Sequence, residues 1–209
     1  VQASNYFAQK AYRVLGGFHL ILGIAADSCE SLDCVSAGKR DRRSKVTTRL
    51  VNVQRFSVIS SKSFADVLAK LDAAVGHPNM AAFRNDVTLA KSFAEVEAVV
   101  QRATGTAGLM EFARFDLGEF LRRKLGAHAP KSVRLVIGNP LIMAQMVEHV
   151  PDAGSHTPVT ILVDERPDGV HLSYDKMASF LSSYGSPEAL KVAQDLDVKV
   201  ETLLTTAAA

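Results

Sequence analysis

The chain has 209 residues, 47% apolar and 22% charged, a globular composition that sets aside a disordered polymer. No apolar run approaches the roughly 20 residues that a spanning helix needs, so a membrane role is not expected. The net charge of +2 is unevenly placed: residues 1–50 carry eight Lys and Arg against four Asp and Glu, leaving the remainder at −2. A nucleic-acid-binding domain needs a basic face, and composition gives residues 51–209 none.

Residues 1–50 read as a leader or extension, either disordered or the product of a wrong start, and residues 51–209 as a single α+β domain. In the leader, the apolar run from Val14 to Ala26 follows Lys10 and Arg13 and ends in small residues, as a secretory signal does. His19 inside the run and the poor cleavage pattern Gly23-Ile24-Ala25 argue against export. A cytoplasmic location is therefore expected, with export as the alternative. Cys29 and Cys34 match neither a zinc ribbon nor a redox C-x-x-C pair. The basic stretch from Lys39 to Lys45 reads as solvated charge rather than a phosphate site.

Past the leader, residues 52–60 are rich in β-formers and read as a strand. Lys62-Ser63-Phe64-Ala65-Asp66-Val67-Leu68-Ala69 then recurs at an offset of 29 as Lys91-Ser92-Phe93-Ala94-Glu95-Val96-Glu97-Ala98. Ser63 with Asp66, and Ser92 with Glu95, have capping-box spacing. Apolar stripes Phe64, Val67, Leu68, Leu71, Val75 and Phe93, Val96, Val100, Ala103 follow at helical period. Two similar amphipathic helices are expected, each docked on a sheet, with Gly76 and Gly105 at left-handed positions after them.

Strands follow at 109–115, 132–137 and 157–164, the last joined through Asp168-Gly169 to 170–174 as a hairpin. Helices are expected over 117–125, 140–149, 175–182 and 187–205, the last started by Ser186 and Pro187. Its stripe of Ala189, Ala193, Leu196, Val200, Leu203 and Leu204 is wide enough to cover a sheet or meet another chain. Consecutive strands near the end favour an α+β fold with a largely antiparallel sheet.

From Val53 to Leu204 the sequence resembles the bacterial family catalogued as domain of unknown function 302. Several short motifs carry the likeness: Gly108-Leu109-Met110 with Phe112 and Phe115-Asp116; Gly138-Asn139-Pro140-Leu141 with Ala144 and Met146; Pro158; Asp168-Gly169; and Ser173-Tyr174-Asp175. The resemblance implies a curved antiparallel sheet backed by helices, TATA-binding-protein-like in outline, and a homodimer. It implies no activity. Many members have a histidine after the aspartate that corresponds to Asp116, whereas this chain has Leu117.

Candidate chemistry is sparse. Gly138-Asn139-Pro140 is either an anion site at a helix start or an N-cap, and the cap is favoured. Met143, Met146 and His149 stand three residues apart on one helix; methionine at that spacing is core filler far more often than a metal or haem ligand. Tyr174-Asp175 is an acid–base pair or, preferably, a half-buried tyrosine followed by a helix cap. Asp116 stands at a strand end in the same way. Neither H-E-x-x-H, a nucleophile elbow, a P-loop nor a dinucleotide fingerprint occurs. No cofactor or metal is therefore called. The expectation is a dimeric, non-catalytic protein that binds a small or apolar ligand or a partner. Asp116, Asn139, Tyr174 and Asp175 are the candidate ligand-binding residues. The alternative is an enzyme of unknown reaction built on the same four.

Overall fold

Five strands form where β-formers alternate: β1 (Arg55–Ser60), β2 (Met110–Asp116), β3 (Ser132–Gly138), β4 (Val159–Arg166) and β5 (Gly169–Asp175). This computed structural model describes residues 46–209; the candidate signal run, Cys29, Cys34 and the basic stretch up to Lys45 lie outside the described residues. The strands make one curved open sheet in the order β1-β5-β4-β3-β2, and every neighbouring pair is antiparallel. A register shift between Glu111 and Ala113 bulges β2, which bends and twists an edge strand. The expected α+β class, a curved antiparallel sheet with helices behind it, is what the chain adopts.

The period-two alternation decides which face is covered. Val133, Leu135, Ile137, Val159, Ile161, Val163, Val170, Leu172 and Tyr174 all point to one side and are buried. Against them lie α1 (Phe64–Ala74), α5 (Pro140–Val147) and α7 (Pro187–Ala208), which supply Val67, Leu71, Met146, Leu196, Val200 and Leu204 to the same core. The stripe of α7 is consumed there: Leu203 is 5% exposed and Leu204 fully buried within one chain. At the far end of α7, the buried Ser60 hydroxyl donates to the Ala208 carbonyl oxygen at 2.6 Å, tying the helix to β1.

The 29-residue repeat produces two capped helices with different fates. Ser63 accepts from the Asp66 amide and Ser92 from the Glu95 amide, so both predicted caps form. In α1, Phe64 is buried in the main core. In α3 (Phe93–Ala103), Phe93 is 64% exposed, and the buried face is formed by Val99 and Val100. This second helix rests on α5 and on α2 (Met80–Leu89) instead of the sheet. Sequence reading missed α2 because none of its residues is buried, which leaves no apolar stripe to detect. Asn79 starts it by accepting from the amides of Ala81 and Ala82, the one local signal present.

Gly76 and Gly105 are not left-handed, contrary to expectation; Val75 and Thr104 end their helices in extended conformation. The two glycines serve a backbone crossing. A Cβ on Gly76 would fall 2.0 Å from the Ala103 carbonyl oxygen, and one on Gly105 would fall 2.3 Å from that of Ala74. The Leu109 carbonyl accepts from both glycine amides, at 2.9 and 3.0 Å.

Candidate functional site

The four residues singled out as candidates each keep their own hydrogen-bond partners. Asp116 ends β2 and caps α4 (Leu117–Leu125), accepting from the Glu119 amide at 3.0 Å and pairing with Arg122 at 2.7 Å. The Arg122 guanidinium holds its carboxyl below the usual value. Asn139 caps α5: its Oδ1 accepts from the Leu141 amide at 2.9 Å, while its Nδ2 donates to the Gly108 carbonyl at 3.0 Å. That second bond fastens the start of α5 to the loop before β2.

Tyr174 and Asp175 point to opposite faces of β5. Tyr174 is 1% exposed, deeper than its expected half-burial. Its hydroxyl donates to Asp197 Oδ1 at 2.7 Å and accepts from the Met177 amide at 3.1 Å. Burial, and then the Asp197 charge, push the phenol far above its ordinary value, so it is a fixed donor and not a base. Asp175 is not the cap of α6 (Met177–Leu181). It binds Arg55 through both oxygens, at 2.6 and 2.9 Å. The cap comes from α7, where Asp197 accepts from the amides of Met177 (2.7 Å) and Ala178 (3.1 Å). Burial raises the Asp197 carboxyl against the pull of these donors.

The other histidine and methionine candidates also separate. Met146 is fully buried in the core, whereas His149 is exposed beside Glu148 at 3.4 Å. Sequence reading missed Asp72, His77 and Glu111, which α1 and β2 bring close enough to hold a cation. Arg114 already occupies that corner. It pairs with Glu111 at 2.7 Å and with Asp72 more closely still, and these bonds hold its guanidinium above its ordinary value. A metal ion there would have to displace an arginine.

Asn139 borders an apolar cavity. About 240 Å³ of space opens where β3 passes into α5, walled by Phe112, Pro140, Ile142, Met143, Met146, Pro158 and Leu196. Gly138 makes part of the wall, and a Cβ there would stand 3.2 Å from Pro158. The two polar side chains of the lining are already engaged. Both polar atoms of Asn139 bind backbone, and the Thr157 hydroxyl donates to the Ala153 carbonyl at 3.3 Å. The surface left for a ligand is therefore apolar.

No helix among the described residues is long and apolar enough to cross a membrane. No curated protein matches the chain. The crystal structure of an uncharacterised conserved protein DUF302 from Bacillus stearothermophilus is similar at a TM-score of 0.51, with 14% identity, covering 74% of this chain and 98% of that one. At that identity the likeness is one of fold. The sequence pattern of the domain of unknown function DUF302 matches residues 85–207, from within α2 almost to the end of α7. The chain belongs to the DUF302 family.

Proposed function

We propose that this protein is a non-catalytic binding protein that takes a small apolar ligand in the cavity between β3 and α5. The observation that carries the reading is the lining: apolar walls, with the polar atoms of Asn139 and Thr157 turned to backbone partners. A polar ligand entering such a space loses water and gains no partner, while an apolar one loses nothing. An apolar cavity of about 150 Å³ takes benzene, so 240 Å³ suits a one- or two-ring hydrocarbon. Phe112, Gly138, Asn139, Pro140, Met146 and Pro158, six residues on which the family likeness rests, all line it. The scatter of Asp116, Asn139, Tyr174 and Asp175 favours binding over catalysis.

The test is titration with toluene while the methyl signals of Met143 and Met146 are followed by NMR. Saturable shifts at both are expected, with Met143→Trp, which fills the space, abolishing them at Met146. Absent or non-saturating shifts would sink the reading.

We also propose a homodimer, formed through α4. Leu117, Phe120 and Leu125 are 37%, 74% and 61% exposed, on one side of a helix whose only buried residue is Gly118. Its first turn carries Glu119 and its last turn Arg122, Arg123 and Lys124. Within one chain Glu119 already pairs with Arg123 at 3.0 Å and Arg122 with Asp116 at 2.7 Å. Antiparallel packing on a second copy across a two-fold axis therefore buries the apolar side chains and sets Lys124 toward the other copy's acidic start twice over. Sedimentation should give a dimer for the natural chain and a folded monomer for Phe120→Glu. A natural chain that sediments as a monomer at tens of micromolar removes the proposal.

A further inference from the structure

The face of the sheet that carries no core residues holds a second and larger cavity, of about 400 Å³. Its floor is built by outward-pointing residues in register: Arg134 opposite Leu162, Leu162 opposite Ser173, and Val136 opposite Thr160. One wall is Phe180, whose ring is stacked on His156 with centroids 4.3 Å apart and planes 15° from parallel. The rim on the β1 side is the Arg55–Asp175 pair.

Charge and hydrogen bonding there are the reverse of those in the apolar cavity. Asp175 is matched by Arg55 in a two-pronged pair, so these two charges cancel. Arg134 has no carboxylate partner among the described residues, and its guanidinium stands 5.9 Å over the ring of Phe115. The hydroxyls of Thr160 and Ser173 are likewise held by no other group among the described residues, and both face the same space. One unanswered cation, the open hydroxyls of Ser155, Thr160 and Ser173, two aliphatic floor residues and a flat aromatic wall make a site for one kind of molecule.

We propose that this cavity binds a small aromatic carboxylate. The carboxylate sits against the Arg134 guanidinium, whose planar fork matches it in two N–H···O bonds. Thr160 and Ser173 donate to the same group or to a ring substituent. The ring lies over Leu162 and Val136 and against Phe180, where apolar surface and a π-face are both offered. A volume of about 400 Å³ lies in the range of small-molecule sites. A cation meets Arg134 head-on, and a neutral isostere forgoes the charge-assisted bonds to its guanidinium.

The probes are benzoate, benzyl alcohol and benzylamine, which share a ring and differ in charge. Titration of the full chain is followed by amide NMR at Thr160, Leu162 and Ser173. Benzoate should give saturable shifts at all three, benzyl alcohol much weaker binding, and benzylamine none. Arg134→Gln should weaken benzoate about tenfold or more while leaving the toluene response of Met143 untouched. The two cavities can therefore fail separately. If Arg134→Gln does not fold, Thr160→Asp places a carboxylate in the same space and should abolish benzoate binding. Benzylamine binding as well as benzoate, an unchanged affinity in either variant, or no saturation at millimolar benzoate overturns the proposal.

Discussion

Ile161 and Leu162 are neighbours in β4, yet Ile161 is fully buried among core residues while Leu162 floors an open cavity with Arg134 and Ser173 beside it. The same contrast runs along β5, where Tyr174 faces the core and Ser173 and Asp175 face outward. One face of the sheet is closed by α1, α5 and α7 and carries stability. The other, among the described residues, has no helix stacked on its centre and keeps polar groups in reach of a ligand. A one-residue step along a strand therefore separates fold from candidate function.

The sharpest way to break this contrast is a pair of truncations. Ile161→Ala should cost about 2–5 kcal/mol, because methyl groups are lost from a site that cannot collapse. Leu162→Ala, one residue on, should cost about 1 kcal/mol or less. Urea unfolding at equilibrium reads both, and equal losses would mean that the open face is also load-carrying core. Next in size comes Tyr174→Phe, which removes a buried donor from Asp197 and should cost about 1–3 kcal/mol. Ser173→Ala should lie within about 0.5 kcal/mol of the natural chain. Thermal unfolding of the two variants settles whether the Tyr174 hydroxyl stabilises the fold.

Where the faces meet, Asn139→Ala should cost about 0.5–2 kcal/mol through the lost cap. Asn139→Asp retains an oxygen for the Leu141 amide but loses the donor to Gly108, so it should fall between the two. The smallest effect is at the edge. Asp116 is held below its ordinary value by Arg122, so its contribution is present above the unfolded carboxylate value, near about 3.9, and is lost as pH falls through the lower folded value. Melting temperatures of Arg122→Gln should therefore fall less steeply below about pH 4 than those of the natural chain. The site is exposed, so the difference is small.

What the sequence made legible follows the range of each interaction. The caps at Ser63, Ser92, Asn139 and Ser186 and the Asp168-Gly169 hairpin depend on residues within a few positions of one another, and all form. Alternation in 157–164, with the hairpin signal after it, placed β4 and β5 for the same reason. The Tyr174–Asp197 bond spans 23 positions and has no local pattern, so Asp175 was the natural choice for a cap that α7 in fact supplies. Phe93 misled because a capping box and an apolar stripe predict a helix but not the surface it meets. Of the two cavities, Asn139 pointed toward one. Asp175 stood at the rim of the other, whose floor needed the strand register, since Arg134, Thr160 and Ser173 become neighbours only when three strands are paired.

The cap that α7 lends to α6 has a kinetic consequence. The amides of Met177 and Ala178 find an acceptor on Asp197, about twenty positions later in the chain; the Tyr174 hydroxyl, which also accepts from Met177, is itself held by Asp197, and it does not reach Ala178. The Ala178 proton is not sheltered until the last helix has docked, and the Met177 proton has its second acceptor fixed only then. During synthesis α6 stays uncapped until Asp197 has left the ribosome and α7 has settled on the sheet. In the folded protein, hydrogen exchange at these two amides times each departure of α7 from the core. Their protection should equal that of Leu196 and Val200 in the middle of that helix and exceed that of Ser179, whose amide bonds to the carbonyl of Lys176 within its own turn.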